Sequence, residues 1–450
     1  MSEGSAFDGA LRELAFAYEN VPFFREHLNG AGIRPADISS LEEWRQVPAT
    51  VKADYRLNFP AGVLARGKTL AEPRVLKSQS SGTGGDRLTT VAHTYSLAAR
   101  MQATLSVNAP LRTALANCRH HRPARYAAPN CSDVDCATPF STVKDRTLPD
   151  GTLVLPVAHD LLATPQYMVR QAMDELREFR PDWLYVDPTH LAFLLREVAQ
   201  LRERPPEVQA IVLTYTLATG VARRQISEHY GDVPMSQIVS MTELGWVAGE
   251  CPHGNMHVNS RTFLPEFLVG DQPARPGELA ELVMTSIGDR LCPHIRYRTG
   301  DVYRLGADDC PCDSAFPVAR HEGRFQNMIW KPDGRWVTAR EIDDCVGRNP
   351  GIELYQARQL TDGSVSFSYI PVGPSAAAEV RDLEERLRDL FGTGLRLTVT
   401  STDYISAQRS GKFASCVGEL SQAKVDAGSE QEIINGLIAT NTQRLAHIPR

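Results

Sequence analysis

Apolar residues recur at three- and four-residue intervals near the start of the chain, where Leu11, Leu14, Ala15 and Tyr18 share one face and predict an amphipathic helix. ADISSLEEW opens with Asp and Ser, whose side-chain oxygens cap helix N-termini, and predicts a short second helix. PRVLKSQSSGTGGDRLTT reads as a strand, a Gly/Ser-rich turn and another strand. From Ala109 to Asp145 the chain is rich in His, Arg, Pro and Asn with weak periodicity, and loops are expected. Helical spacing returns over Thr164–Glu178. Trp183–Val186 predicts a buried strand, His190–Leu201 an amphipathic helix, and Ala210–Tyr215 an apolar strand followed by a helix through Ile226. Alternating strands and helices imply α/β units around a largely parallel sheet.

After Glu250 the texture changes. FLPEFLVG, GELAELVMTSI and HIRYRTGDVYRL predict strands separated by Gly/Pro turns, hence a β-rich layer. GRFQNMIWKPDGRWV predicts a hairpin turning at Asp333–Gly334. Helices near Ala339–Cys345 and Ala376–Leu390 alternate with strands near Ser364–Tyr369 and Leu395–Thr400. The expected fold is α/β: a large N-terminal domain, residues 1–323, with a β-rich layer, and a small mobile α+β C-terminal domain, residues 324–450.

Composition narrows the function classes. The chain has 450 residues, 42% apolar and 23% charged, with 48 basic against 54 acidic side chains and a net charge of −6. That balance suits a multidomain globular protein and argues against a nucleic-acid partner. The N-terminus lacks the basic and apolar regions of a secretory signal, and no run approaches a membrane helix, so a cytoplasmic location is expected. The nine Cys are odd in number and sparse, which favours thiols or a metal site over disulfides.

Four short motifs carry candidate chemistry. Ser80-Ser81-Gly82-Thr83-Gly84-Gly85 is a run of small residues whose backbone N–H groups and hydroxyls can cradle phosphates, although such turns are commonly mere connectors. Thr242-Glu243 offers a hydroxyl and a carboxylate, suited to a phosphate and Mg²⁺, or to an ordinary helix cap. Tyr297-Arg298-Thr299-Gly300-Asp301 ends on a carboxylate that can accept from both hydroxyls of a sugar, or forms a simple turn. Ser410-Gly411-Lys412-Phe413 presents a lysine near the C-terminus whose plain reading is an exposed turn residue.

Together and in this order the motifs resemble the signature of the adenylate-forming superfamily. The resemblance sharpens toward the phenylacetate–CoA ligase branch through VPFFREHLNGAGIRPADISSLEEWRQVPAT, VKADYRLNFPAG, ECPHGNMHVN, RYRTGDVYRL, CPC and HEGRFQNMIW, and it spans nearly the whole chain. It implies that Ser80, Ser81, Gly82, Thr83 and Gly84 hold the ATP phosphates, Thr242 contacts the α-phosphate, and Glu243 binds Mg²⁺. It further implies that Asp301 holds the ribose, Arg324 sits beside it at a hinge running to Gln326, and Lys412 approaches the carboxylate and α-phosphate. Departures from the pattern are Gly84 for a Thr, Val239 and Ser240 for an aromatic-Gly pair, Thr214-Tyr215-Thr216-Leu217 at the adenine wall, and Gln326 for an acidic hinge residue.

Cys251 and His257 in CPHGNMH, with Cys310 and Cys312 in CPC, can complete a four-coordinate zinc site, and that branch has a similar Cys…His…Cys-x-Cys arrangement. His253 competes as the histidine ligand, and Cys292 and His294 flank the region. By the same resemblance the stretch Asn117–Asp145 replaces a Gly- and aromatic-rich segment of that branch; it contains Arg119, His120, His121, Arg122 and Arg125, and reads either as a solvated basic loop or as a site for a polar or anionic substrate.

The expected activity is ATP-dependent conversion of a small aromatic or polar carboxylic acid to an acyl-adenylate, then transfer to CoA. The alternatives are transfer to an amine, a carrier thiol or another nucleophile, and a non-catalytic binding protein with the same fold. The expected partners are the acid, ATP, and CoA or another nucleophile, with no nucleic acid or membrane; a homodimer is compatible with the resemblance.

Overall fold

The first helix, Glu3–Asn20, forms as its spacing predicts, with Ala10, Leu14 and Ala17 fully buried and Leu11 and Tyr18 packed at the margin. Ser40 then opens the short helix Leu41–Trp44 through a reciprocal cap: its hydroxyl accepts from Glu43 N at 3.2 Å while Glu43 reaches back to Ser40 N at 3.0 Å. The computed structural model describes residues 3–79, 88–129, 141–306, 310–373, 377–428 and 430–445. The expected phosphate loop, Ser80–Gly84, lies outside the described residues.

The chain divides into two compact units. The first comprises Met1–Ala109 and Ile238–His321. The strands Val75–Gln79 and Thr89–His93 pair antiparallel in it. Its larger sheet orders the strands Gln272–Pro273, Phe263–Val269, Leu279–Ser286 and Tyr297–Leu305 antiparallel, and the edge strand Ala319–Arg324 runs across the unit boundary. Leu279–Ser286 is buried at every position and anchors this layer.

The second unit comprises Pro110–Gln237 and Glu322–Arg450. Its parallel strands follow the order Leu153–Val154, Pro123–Tyr126, Trp183–Val186, Ala210–Leu213, and then the start of Met235–Met241. One face packs Ala124, Tyr126, Leu184, Val186, Ile211 and Leu213 against the helices Gln166–Phe179, Pro188–Gln200 and Gly220–Tyr230. A four-stranded sheet orders Leu397–Ser401, Val365–Pro371, Ile352–Gln359 and Cys416–Gly418, with the helices Ala339–Val346 and Ala377–Phe391 in the same core. Gly220 permits close approach within this unit, since a Cβ there would lie 2.5 Å from Gly347 O. Its N–H donates to Asp343 Oδ1 at 2.9 Å.

One expectation is corrected. The segment expected as loops contains the helix Ala109–Ala116, which buries Leu111, and the strand Pro123–Tyr126, which takes a place between two others in the parallel sheet. Tertiary burial overrides weak local periodicity there. Among the described residues no helix is long and apolar enough to cross a membrane.

Candidate active site and metal centre

The segment after Cys251 turns back on itself, with Cys251 N donating to Asn255 O at 2.8 Å and Gly254 at φ +78°. It leads into the strand Met256–Val258, which buries His257. His257 Nδ1 lies 2.9 Å from Phe316 O. A carbonyl only accepts, so this contact keeps the proton on Nδ1 and leaves Nε2 as a lone-pair donor. Nε2 lies 3.2 Å from Cys312 Sγ, and Cys251 Sγ lies 3.7 Å from Cys310 Sγ. The four ligand atoms all lie within 4.8 Å of one another. Zn–S bonds of about 2.3 Å in tetrahedral geometry separate two sulfurs by about 3.8 Å, so the Cys251–Cys310 spacing already suits a metal.

Burial pushes the Cys251 thiol up to about 11 and also raises Cys312. At Cys310 burial acts in the same direction, but hydrogen bonds outweigh it, first that from Asn255 Nδ2 at 3.2 Å, and bring the thiol down to about 6. Three thiols and one correctly oriented imidazole fit a closed structural zinc site rather than a hard cation. The competing His253 is exposed in the turn and outside the group. Cys292 and His294 are likewise outside it; His294 stacks on Tyr55 at 4.4 Å, and burial lowers its pKa to about 4.

Thr242 and Glu243 follow the strand Met235–Met241 in the first unit. Thr90 Oγ1 donates to Thr242 O at 3.1 Å, tying this turn to the strand Thr89–His93. Glu243 is largely buried, with Oε1 3.6 Å from Lys52 Nζ and accepting from Tyr297 Oη at 3.4 Å. Lys52 begins the helix Lys52–Asn58, and Tyr297 begins the strand that carries Asp301.

Asp301 owes its orientation to a bulge. Glu281 pairs with Val302 and Val283 with Arg298, so three residues, Thr299-Gly300-Asp301, stand opposite Leu282. Gly300 takes φ +71°, which an L side chain resists. Arg298 is not a free cation: its Nη2 pairs with Glu281 Oε2 at 2.7 Å, and Glu281 Oε1 accepts from Gly300 N at 3.2 Å. The bulge is thus held from within, and Asp301 is buried with Oδ1 3.1 Å from His321 Nε2.

Lys412 and Arg324 belong to the second unit. Gly411 sets the lysine in a tight turn: its φ is +76°, and a Cβ would lie 3.1 Å from His159 O. Gln408 N donates to Lys412 O at 2.9 Å and Gly411 N to Gln408 O at 2.8 Å. Lys412 Nζ lies over the Tyr215 ring, 6.0 Å from its centroid. Tyr215 follows the strand Ala210–Leu213 with φ +73°, and Thr216 N donates to Thr214 O at 2.9 Å, closing a three-residue γ-turn around it. Asp187 braces this turn: Oδ2 accepts from Thr216 Oγ1 at 2.9 Å while Oδ1 accepts from Thr189 N at 2.9 Å at the start of the helix Pro188–Gln200. The altered wall Thr214–Leu217 is therefore a strained, buttressed turn beneath the lysine. Arg324 is exposed at the end of its strand and precedes the single turn Phe325–Asn327.

Sequence reasoning joined Cys251, His257, Cys310 and Cys312, but did not foresee Lys52 and Tyr297 as partners of Glu243 or His321 as a partner of Asp301. VKADYRLNFPAG held Lys52 in plain view, yet nothing local links it to a carboxylate 191 positions later. The wall Thr214–Leu217 was singled out, but the place of Tyr215 under Lys412 and the brace from Asp187 arise from backbone strain and a distant side chain that local sequence does not reveal.

No protein-family model matches the chain. Phenylacetate–CoA ligase of Thermus thermophilus is 28% identical over 309 residues, 67% of this chain and 65% of that enzyme. The Pseudomonas putida enzyme of that name is 26% identical over 389 residues, 84% of this chain and 82% of its own. Among solved structures, 2-hydroxyisobutyryl-CoA ligase in its postadenylation state, bound to an acyl-AMP, matches with a TM-score of 0.69 at 16% identity over 96% of this chain and 92% of that one. The fold of the chain is the one seen in that acyl-CoA ligase. In sequence the chain is a relative of the phenylacetate–CoA ligases, and its match to the Thermus enzyme spans just under two thirds of that enzyme's length.

Proposed function

We propose that this protein activates a small carboxylic acid with ATP as an acyl-adenylate and passes the acyl group to CoA. The observation that carries the reading is the Gly411 turn, which holds Lys412 over the braced turn after a parallel strand. Ligands of open α/β sheets bind at the carboxyl ends of such strands. Carboxylate attack on the α-phosphate brings two negative groups together, and a fixed ammonium offsets the charge where it accumulates. Asp301 would accept from the ribose hydroxyls and Arg324 would sit beside that sugar. The Ser80–Gly84 loop and Thr242 would engage the phosphates. Glu243 would hold Mg²⁺, a cation that stabilises phosphate charge, after exchanging its contact with Lys52. Cys251, His257, Cys310 and Cys312 would hold a structural Zn²⁺ that fixes loops without taking part in the chemistry.

Release of the adenylate to its acceptor would follow rotation of residues 324–450 about Arg324–Gln326, withdrawing Lys412 from residues 1–323. Limited proteolysis tests this division: cleavage confined to sites far from Arg324 would count against the hinge. The names of the relatives favour CoA over an amine or carrier thiol as acceptor. The activity itself is tested by ATP–pyrophosphate exchange across aryl and aliphatic acids, followed by CoA-dependent AMP release. Exchange without any CoA-dependent turnover would keep the first half-reaction and remove the second.

A further inference from the structure

A buried parallel sheet is built from apolar strands because helices or loops cover both faces. Among the strands Pro123–Tyr126, Leu153–Val154, Trp183–Val186, Ala210–Leu213 and Met235–Met241, Arg125 is the one charged residue. Alternation along its strand sends Ala124 and Tyr126 into the core on the helix-covered face and Arg125 to the opposite face. There its register partners are Val154 on one side and Tyr185 on the other. Its guanidinium stacks on the Tyr185 ring at 5.2 Å, Tyr185 meets Tyr215 edge-on at 5.6 Å, and Lys412 covers Tyr215 at 6.0 Å. Two cations thus bracket a pair of tyrosines at the carboxyl ends of neighbouring strands.

The rest of the basic segment does not share this setting. Arg119, His120 and His121 are exposed, and Arg122 lies over Phe179 at 5.1 Å with Nη2 donating to Arg180 O at 3.4 Å. The solvated-loop reading accounts for those residues but not for Arg125, which lies inside a strand and is partly buried.

We infer that Arg125 determines acid specificity, holding a second anionic group on an acid whose reacting carboxylate lies at Lys412. This rests on the adenylation reading above and adds the substrate class, a dicarboxylate. A guanidinium presents its N–H donors in a planar fork that matches a carboxylate. Arg125 takes no part in bond making. It orients the acid alongside the two tyrosines so that the other carboxylate reaches Lys412. A charge-assisted pair with the substrate favours an acid that carries the second anionic group over its analogue without it by about 10–10²-fold.

The test compares matched acids in ATP–pyrophosphate exchange: 4-carboxyphenylacetate against phenylacetate, and glutarate against butyrate. The wild-type protein should favour the diacid in at least one pair by about 10–10²-fold in kcat/KM. Arg125→Met should collapse that ratio toward unity, while Arg125→Lys should keep part of it. Arg125→Gln serves if the methionine variant does not fold. Equal use of monoacid and diacid in both pairs, or an unchanged ratio in the variants, overturns the inference while leaving adenylation intact. Calorimetry of the same acids without ATP separates the two readings. Diacid binding that depends on Arg125, without exchange on any acid, would sustain the specificity site and reject the adenylation reading. Neither binding nor exchange would reject both.

Discussion

The γ-turn at Tyr215 makes a prediction whose sign is unusual. Tyr215→Ala and Tyr215→Gly both delete the ring, with its edge contact to Tyr185 and its place under Lys412. The difference between these two variants isolates the backbone. At an ordinary position glycine is the less stable of the pair by about 0.4–1 kcal/mol, because its unfolded chain has more conformations to lose. At φ +73° a side chain carrying Cβ pays about 1–2 kcal/mol that glycine does not. Strain outweighs entropy, and Tyr215→Gly should be more stable than Tyr215→Ala by about 0.5–1 kcal/mol. Urea unfolding followed by circular dichroism measures this as a higher midpoint for the glycine variant at equal slope. An alanine variant equal to or more stable than the glycine variant would mean that this residue is not held in the left-handed region, and the account of a strained turn braced by Asp187 would fall.

Three further outcomes are expected. Lys412→Ala should lower acyl-adenylate formation by at least about 10²-fold, the scale of a lost electrostatic stabiliser, and unchanged exchange kinetics would remove the lysine from its role. Cys310→Ser should release about one zinc per chain from protein purified without chelator and lower its melting temperature, and wild-type protein free of zinc by elemental analysis would reject the metal centre. Glu13 is raised from 4.5 to about 7, chiefly by burial and then by the Asp289 carboxylate, with Arg290 and the Gly288 and Asp289 N–H groups offsetting only part. The folded state therefore keeps a proton that the unfolded state has lost between these values, and stability falls as pH rises through this window, by about 3 kcal/mol in all. Glu13→Gln should flatten that slope in denaturation measured from pH 4.5 to pH 8, and an unaltered slope would place the titration elsewhere.

Much of the scaffold is legible in the sequence because its periodicities are local. WLYV is the strand Trp183–Val186 residue for residue, and the helix expected at Thr164–Glu178 occupies Gln166–Phe179. The hairpin turning at Asp333–Gly334 pairs Trp330 with Trp336. What escaped depends on distance or on backbone. Glu13 sits on the first helix beside the apolar stripe, and nothing local marks it for burial, yet it accepts from Ser286 Oγ at 3.1 Å across 273 positions. The choice of His257 over His253 follows from a strand against a turn, which the short run CPHGNMH does not reveal. The strand that carries Arg125 was masked by its polar neighbours, because a short segment inside a sheet needs only a few apolar positions once others pair on both sides.

The interleaving of the first unit has a consequence during protein synthesis. Its opening helix buries Ala10, Leu14 and Ala17, and seats Glu13 on the backbone of Gly288 and Asp289. Those acceptor segments leave the ribosome only after the intervening 110–237 stretch, which belongs to the other unit. At roughly 5–20 residues per second Glu13 waits on the order of tens of seconds for those segments, while the helix Pro22–Gly30, which packs against the opening helix, is made directly after it. Meanwhile the strands from Pro123 to Leu213 have their neighbours within about 90 residues and can pair before those segments are made. Parallel pairing in the second unit therefore begins before the first unit is complete.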